Sequence, residues 1–293
     1  MRALWRALAG LVLLMRPWDW ARNLLLLAPV VFSAQSFDIA LAQRVGLALA
    51  LFCAASSALY CLNDVMDRRL DALHPVKRAR PLPSRAVGVA AALVLAVALA
   101  GTALYFAWTF DRPFFRVLAL YLALGALYSL SLRRLGVLDV LAVAILYVLR
   151  INAGAALMGA QPSVWMVIIA FLFGIFAALA RRRDDVMAAL ERGGESGRPG
   201  YNEGFLNVAV SVFLTVLVIS YVMYVTDPTI AERTRIDRLH FTVPFVVAGA
   251  LRYLQVILVD EKPGEPFRLL WRDPLTLALA LGFVGTLVAL FHV

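Results

Sequence analysis

The sequence is poor in charged residues. Of its 293 residues, 16% are charged and 62% are hydrophobic, whereas about a quarter of a soluble domain is charged and about half is apolar. This composition excludes an ordinary soluble protein and predicts a single integral membrane domain over residues 1–293. The net charge of +9 does not indicate nucleic-acid binding, because the basic residues stand in short segments between apolar runs. We therefore expect no nucleic-acid partner.

Cysteine and histidine are also scarce. The two cysteines, Cys53 and Cys61, stand two helical turns apart in one apolar segment, so a disulfide between them is not expected. The three histidines are His74, His240 and His292, and no nucleophile–base arrangement forms around them. No glycine-rich phosphate loop and no zinc pattern is present.

The long apolar runs predict helices rather than strands, because a membrane barrel would alternate apolar and polar residues. A spanning helix needs about 20 mostly apolar residues. We predict an all-α integral membrane fold with nine transmembrane helices, of which the first is short. The predicted spans are 22–36, 44–63, 87–108, 113–131, 137–158, 164–181, 205–226, 241–259 and 274–292.

The distribution of basic residues predicts the orientation of the chain. With a cytoplasmic N terminus, 20 of the 28 lysines and arginines lie on the cytoplasmic side, six lie outside and two lie within spans. This asymmetry favours a cytoplasmic N terminus. Residues 1–20 carry arginines and tryptophans without a cleavage pattern, so we expect an uncleaved helix in the membrane interface. The segments 64–86 and 182–204 are predicted cytoplasmic loops that face a shared cavity.

The strongest polar pattern is Asn63, Asp64, Asp67 and Asp71. On a helix these four side chains fall within an arc of about 100°. Carboxylates so close together repel one another, and a cation relieves the repulsion. Hard oxygen ligands beside an amide suit Mg²⁺. We predict that these four residues bind Mg²⁺ and that the three aspartates are catalytic; the alternative is a solvated helix end whose aspartates pair with Arg68 and Arg69.

Basic residues follow the aspartates in the segment from His74 to Pro81. Two prolines make it a stiff loop. Its basic residues could bind those diphosphate oxygens that a metal does not coordinate. The alternative is that they anchor the loop at the membrane surface. Arg150 and Asn152 lie within a predicted span, where an arginine is costly and usually faces a polar cavity or a partner. We predict that phosphate is bound by Arg22, Asn23, Lys77, Arg78, Arg80, Arg150, Arg182 and Arg183.

A second polar helix end begins at Arg181-Arg182-Arg183-Asp184-Asp185. Arginines at a helix C terminus also complement the helix dipole, so a structural role is the alternative here. The residues predicted to contact substrate are Tyr60, Tyr128, Asn152, Asp184, Asp185 and Tyr201.

At these motifs the sequence resembles the UbiA superfamily of intramembrane prenyltransferases. The resemblance rests on Arg16-Pro17-Trp18 with Arg22-Asn23, on Asn63-Asp64-x-x-Asp67-x-x-x-Asp71, and on Arg80-Pro81-Leu82. It implies a nine-helix bundle around a central cavity that opens to the cytosol and to lipid, with Mg²⁺ and a diphosphate bound by Asp-rich motifs. It also implies an enzyme of the bacterial inner (plasma) membrane.

The second motif departs from the Asp-x-x-x-Asp pattern of the quinone-type and haem-type members. The adjacent Asp184 and Asp185 behind three arginines, with His74-Pro75-x-Lys77-Arg78, are similar to the decaprenyl-phosphate phosphoribosyltransferase branch. That branch implies Mg²⁺-dependent transfer of 5-phosphoribose from phosphoribosyl diphosphate to a polyprenyl phosphate in the membrane. Two other hypotheses remain: prenyl transfer from a prenyl diphosphate to an aromatic or other small acceptor, and a transporter or lipid-binding scaffold without catalysis.

Overall fold

The structure is a computed structural model that describes residues 2–32, 38–73, 77–191, 201–234 and 238–292. Within these ranges every regular element is a helix. The α-helices are α1 Arg2–Met15, α2 Ala28–Val31, α3 Ile39–Leu73, α4 Val89–Phe110, α5 Arg112–Leu130, α6 Gly136–Leu157, α7 Val164–Leu190, α8 Glu203–Thr226, α9 Pro228–Thr234, α10 Val243–Leu258, α11 Pro266–Arg272 and α12 Pro274–His292. Short 3-10 helices occupy Pro17–Leu27, Lys77–Ala79, Leu132–Arg134 and Leu239–Thr242.

The predicted all-α membrane architecture is confirmed. In the described ranges, seven helical segments are long and apolar enough to cross a membrane: α3 to α8 and Leu239–Leu258. Helices α11 and α12 meet at a bend of 103° and would make an eighth span if they cross together. Nine spans and the predicted orientation are not confirmed.

The first predicted span, 22–36, differs most from the structure. The chain there continues a 3-10 helix to Leu27, only Ala28–Val31 is α-helical, and residues 33–37 lie outside the described ranges. The 3-10 helix follows Arg16, whose φ of 51° ends α1, and it begins with Pro17. It also buries the polar side chains of Asp19, Arg22 and Asn23.

Both predicted polar loops begin later than expected. Helix α3 continues through the aspartates to Leu73, so the whole first motif is helical, and residues 74–76 lie outside the described ranges. Helix α7 continues through the second motif to Leu190, and residues 192–200 also lie outside them. Charged side chains do not end a helix when partners in other elements neutralise them. Proline, which does end helices, first appears in the first loop at Pro75.

The chain divides into two compact units. The first unit comprises Met1–Val30, Ser36–Leu135 and Leu149–Gln161, and the second comprises Val31–Gln35, Gly136–Val148 and Pro162–Val293. Each unit holds one polar helix end, on α3 and α7 respectively. The predicted interfacial helix is α1, which ends at Met15; its Leu14 is buried in the first unit, whereas Leu8, Val12 and Leu13 are exposed.

Close helix contacts depend on glycine in both units. In the first, Gly154 of α6 packs so tightly on the 3-10 helix Pro17–Leu27 that a Cβ there would stand 2.0 Å from the carbonyl oxygen of Leu26. In the second, a Cβ on Gly174 of α7 would stand 2.6 Å from the Cα of Ala144 in α6. These glycines allow the helices to approach at backbone distance, a common device in membrane helices.

Candidate active site

The three aspartates of α3 each form an ion pair with an arginine from another element. Asp64 and Asp71 are buried, at 4% and 5% exposure. Arg16 pairs with Asp64, and Arg80 pairs with Asp71 at 2.7 Å and lies 3.5 Å from Asp64.

The third aspartate, Asp67, forms its ion pair with Arg133, which lies in the 3-10 helix between α5 and α6. The arginines therefore relieve the repulsion that the sequence predicts among the carboxylates. The alternative partners suggested by sequence, Arg68 and Arg69, are exposed.

The charge of Arg16 is secured by its surroundings. Burial lowers the pKa of Arg16, but the neighbouring carboxylates of Asp64 and Asp19 raise it above its usual value overall. The guanidinium also lies 5.6 Å from the centre of the Tyr60 ring. Tyr60, a predicted substrate contact, therefore lies beside Arg16, the partner of Asp64.

A buried polar network supports the 3-10 helix that follows Arg16. Arg150 of α6 donates from Nε to Asn23 Oδ1 at 3.1 Å and from a terminal nitrogen to the Tyr121 hydroxyl at 2.9 Å. Ser56 of α3 donates to Asn23 Oδ1 at 3.1 Å and lies 3.1 Å from the Tyr121 hydroxyl. Arg150 is 4% exposed. The hydrogen bonds of this network compensate for the free energy that burying an arginine within a span costs.

The same 3-10 helix is fastened to α3 at its other end. Trp20 donates its indole N–H to Ser57 at 3.0 Å, and Ser57 donates to the carbonyl of Met15 at 2.9 Å. Arg22 pairs with Asp19 at 3.0 Å. These contacts fix the backbone from which Arg16 reaches Asp64.

The second motif, on α7, is a separate cluster in the second unit. Arg182 binds both carboxylate oxygens of Asp139 at 2.6 Å, and its third nitrogen lies 3.6 Å from Asp185. Arg183 donates to Asn207 at 2.7 Å and to the carbonyl of Ile257. The two buried guanidinium groups that the sequence assigns to phosphate are thus engaged by protein acceptors.

The remaining residues of the second motif contact the segment before α11. Asp184 accepts the backbone N–H of Gly264 at 2.8 Å, and Arg181 lies 3.5 Å from Glu265. Tyr201, a predicted substrate contact, is 8% exposed and donates its hydroxyl to the carbonyl of Gly136 at 2.8 Å. Asp184 and Arg181 therefore hold α7 against the segment before α11, whereas Tyr201 joins the segment before α8 to the start of α6.

Four other predicted site residues are less buried than the aspartates of α3. Asn63, Tyr128 and Asn152 are half-buried, and Arg78 is exposed. The side chain of Lys77 lies outside the described part of the chain.

Sequence reasoning did not include Arg16, Arg133, Tyr121 or Asp139 in the site. Asp139 could have been recognised, because a carboxylate inside an apolar run usually has a function or a buried partner. For Arg133, nothing in the local sequence beyond its charge indicates a role.

The geometry fits a divalent cation only in part. Among the described residues, no three carboxylate, histidine or cysteine side chains converge closely enough to bind a metal by themselves. Mg²⁺ is usually bound by one or two carboxylates together with substrate phosphates. The oxygen donors of Asn63, Asp64 and Asp67 suit that mode.

Comparison with known proteins identifies the family of this fold. A model of the UbiA prenyltransferase family matches residues 3–269. The chain belongs to the UbiA family. It is a membrane-embedded transferase of that superfamily.

Two curated relatives match nearly the full length of the chain. The decaprenyl-phosphate phosphoribosyltransferase of Mycolicibacterium smegmatis is 29% identical over 97% of this chain and 93% of its own length. The enzyme of that name from Mycobacterium tuberculosis is 30% identical over 96% of this chain and 94% of its own length.

A solved UbiA homologue from Archaeoglobus fulgidus, bound to DMAPP and Mg²⁺, has the same fold. Its TM-score is 0.70 at 21% identity, covering 97% of this chain and 99% of the homologue.

Proposed function

We propose that the chain transfers 5-phosphoribose from phosphoribosyl diphosphate to a polyprenyl phosphate and releases diphosphate in a Mg²⁺-dependent reaction. The observation that carries the proposal is the pairing of each aspartate on α3 with its own arginine. Such a site combines metal-binding carboxylates with several phosphate-binding cations. The near full-length similarity to decaprenyl-phosphate phosphoribosyltransferases supports the same reaction.

The number of cations favours a sugar donor. Phosphoribosyl diphosphate carries a 5-phosphate besides its diphosphate, and the acceptor brings a third phosphorylated group. A prenyl diphosphate carries one diphosphate only. Guanidinium groups bind phosphate oxygens strongly and with defined geometry. We propose that Arg16, Arg80 and Arg133 turn from the aspartates to the phosphate oxygens of the donor.

The metal would be held by Asn63, Asp64 and Asp67, with Asp71 beside them. When bound, Mg²⁺ supplies charge stabilisation for the departing diphosphate. Asp64 and Asp71 lie on one side of α3 because they are two helical turns apart, and Arg80 contacts both of them. The carboxylates are thus held by guanidinium groups until the donor phosphates take those groups over.

The transfer requires no general base from the protein. The bond between C1 of the ribose and the diphosphate oxygen breaks, and the diphosphate leaves with the electron pair. An oxygen of the acceptor phosphate forms the new bond to C1. That oxygen is already anionic, so no proton has to be removed. We place further phosphate contacts on Arg22, Asn23, Lys77, Arg78 and Arg150.

The location of the site is also part of the proposal. The excess of basic residues in the segments around both motifs favours the cytoplasmic face of a bacterial inner membrane. Phosphoribosyl diphosphate is a soluble anion, and its acceptor is a lipid. An active site at the cytoplasmic end of membrane helices gives both substrates access.

Prenyl transfer is the second candidate. The observation that favours it is the solved homologue from Archaeoglobus fulgidus, which shares the fold and is bound to DMAPP and Mg²⁺. In that case the donor would be a prenyl diphosphate and the acceptor an aromatic or other small molecule.

Diphosphate release with each donor separates the two candidates. The purified protein is incubated with Mg²⁺ and either phosphoribosyl diphosphate plus polyprenyl phosphates of several lengths, or prenyl diphosphates plus aromatic acceptors. We expect release with the sugar donor and a polyprenyl phosphate. The matched control is the double variant Asp64→Asn, Asp67→Asn, which keeps the side-chain shapes and should be inactive. Release with the prenyl donor alone would contradict the proposal.

A further inference from the structure

Helix α1 has a glycine in its interior. Gly10 is buried, although alanine is favoured over glycine inside a helix. A Cβ at this position would stand 2.6 Å from the Cγ2 of Val87, 3.6 Å from the Cβ of Pro81 and 3.9 Å from the Cβ of Ala86. The first of these distances is shorter than real Cβ atoms adopt. The glycine therefore allows α1 to contact the segment after Arg80 at backbone distance.

Val87 has little room to move away from such a Cβ. It is 5% exposed, and a β-branched side chain has few rotamers. It packs in one cluster with the buried Leu14 of α1 and the buried Leu82. A methyl group at Gly10 would therefore displace the backbone of Val87 rather than rotate its side chain.

The segment 80–87 transmits such a displacement because hydrogen bonds close it on itself. Val87 donates its backbone N–H to the carbonyl of Pro81 at 3.1 Å. Ser84 donates its backbone N–H to the carbonyl of Arg80 at 3.0 Å. A shift of Val87 is therefore passed to Pro81 and from there to Arg80, the residue before it.

Arg80 is the point at which the displacement reaches the aspartates of α3. It pairs with Asp71 at 2.7 Å and lies 3.5 Å from Asp64. Helix α1 also leads directly into Arg16, the other partner of Asp64, whose backbone N–H donates to the carbonyl of Leu13 at 3.2 Å. One helix thus supports both arginines that contact Asp64.

We propose that Gly10 is a positioning residue that fixes Arg80 through Val87 and so sets the affinity of the site for the donor's diphosphate. Without a Cβ at this position, α1 and the loop that carries Arg80 pack closely enough for its guanidinium to reach both Asp64 and Asp71. The transfer of Arg80 to phosphate rests on the proposed function. The inference holds for a sugar donor and a prenyl donor alike, because both carry a diphosphate.

The first test adds a methyl group to α1. In Gly10→Ala we expect the KM for phosphoribosyl diphosphate to rise about tenfold, the loss of one hydrogen bond to a charged group, with kcat changed less. Titration calorimetry with Mg²⁺ and inorganic diphosphate should show the same loss of affinity. Gly46→Ala on α3 is the matched control, because nothing lies within 4 Å of a Cβ there. Unchanged diphosphate affinity in folded Gly10→Ala would overturn the proposal.

A second variant tests whether Val87 carries the effect. Val87→Ala removes the methyl group that the new Cβ would meet. Two changes at one contact are not additive, so adding Gly10→Ala to Val87→Ala should cost no further affinity for inorganic diphosphate. An equal loss in both backgrounds would overturn the contact as its cause.

A purely structural role for the glycine predicts a different result. Gly282→Ala strains a helix contact in the second unit, since its Cβ would stand 2.4 Å from the Phe245 ring. We expect it to lower the thermal unfolding midpoint and to leave the affinity for inorganic diphosphate unchanged. A parallel loss of affinity in Gly282→Ala would mean that lowered stability alone explains Gly10→Ala, and would overturn the positioning role.

The last cycle separates this inference from the proposed function. In an Arg80→Gln background, Gly10→Ala should weaken the binding of inorganic diphosphate no further, and a further loss would overturn the positioning role whichever donor is used. Wild-type diphosphate affinity in Arg80→Gln would contradict the phosphate contact of Arg80 and this inference with it. Product formation from a prenyl diphosphate alone would overturn the proposed function but not the role of Gly10, because inorganic diphosphate carries neither a sugar nor a prenyl group.

Discussion

Arg133 and Asp67 form a salt bridge although 66 positions separate them in the chain. Arg133 belongs to the 3-10 helix Leu132–Arg134, whereas Asp67 lies on α3. The contact brings the connection between α5 and α6 to the aspartate-rich helix end. It completes a set in which each of three carboxylates has a guanidinium partner, and this set is the physical basis of the proposed site for metal and phosphate.

Replacing Arg133 by glutamine should weaken catalysis. A hydrogen bond that involves a charged group contributes about 1.5–3 kcal/mol, so we expect kcat/KM to fall by a factor of about 10–100. Arg134→Gln is the matched control, since Arg134 is the next residue and is exposed. It should change kcat/KM little. Equal losses in the two variants would mean that the total positive charge, rather than the contact with Asp67, matters.

Replacing Arg150 should lower the stability of the fold. Arg150→Met removes the donors to Asn23 and Tyr121, which are both buried. Hydrogen bonds to charged groups contribute about 1.5–3 kcal/mol each, and Ser56 remains a partner of both groups. We therefore expect the free energy of unfolding in detergent to fall by about 2–4 kcal/mol. Tyr121→Phe, which removes one hydroxyl, should cost about 1 kcal/mol. Full stability of Arg150→Met would contradict the support that this network gives to the 3-10 helix.

Adding a methyl group at Gly154 should disrupt the contact between α6 and the 3-10 helix Pro17–Leu27. The Cβ of Gly154→Ala would stand 2.0 Å from the carbonyl oxygen of Leu26, so backbone must move, at a cost of about 1–3 kcal/mol. Gly101→Ala is the control, because nothing lies within 4 Å of a Cβ there. In a helix interior that change should stabilise by about 0.5–1 kcal/mol. Thermal unfolding in detergent distinguishes the two, and a stable Gly154→Ala would contradict the close approach.

The sequence was sufficient for most of the helices and for the first motif. Apolar runs predicted α3 to α8 because lipid requires long apolar helices, and the spacing of the aspartates placed them on one helix face. It did not predict the 3-10 helix that continues to Leu27, since the four consecutive leucines of that helix look like part of a span while its Asp19 and Asn23 are buried. Local pattern does not reveal whether a polar residue faces lipid or protein.

The partners of the charged residues were harder to predict than the residues themselves. Asp139 and Arg182 are 43 positions apart, and Arg150 lies 127 positions from Asn23. Such pairs depend on how helices pack, which periodicity along one helix does not specify. The protein acceptors of Arg182 and Arg183, two residues that the sequence assigns to phosphate, were not predictable for the same reason.

Asp227 provides a test of pH dependence outside the spans. The Thr229 hydroxyl, the Trp165 indole and the Thr229 backbone N–H donate to its carboxylate and lower its pKa below the usual 3.8. A depressed pKa stabilises the fold above the unfolded value and loses that contribution as the pH falls through the folded value. Asp227→Ala should therefore unfold at lower temperature than the wild type at pH 7. The difference should narrow below the usual pKa of 3.8, and a constant gap across that range would contradict the assignment.

The lipid product made in the presence of both donors tests the central claim most directly. Purified protein receives Mg²⁺, phosphoribosyl diphosphate, a prenyl diphosphate, a polyprenyl phosphate and an aromatic acceptor together, and the products are analysed by mass spectrometry. We predict a polyprenyl phosphate that carries 5-phosphoribose, with formation abolished by a chelator and by Asp64→Asn with Asp67→Asn. A prenylated aromatic product, with phosphoribosyl diphosphate left unconsumed, would contradict the account.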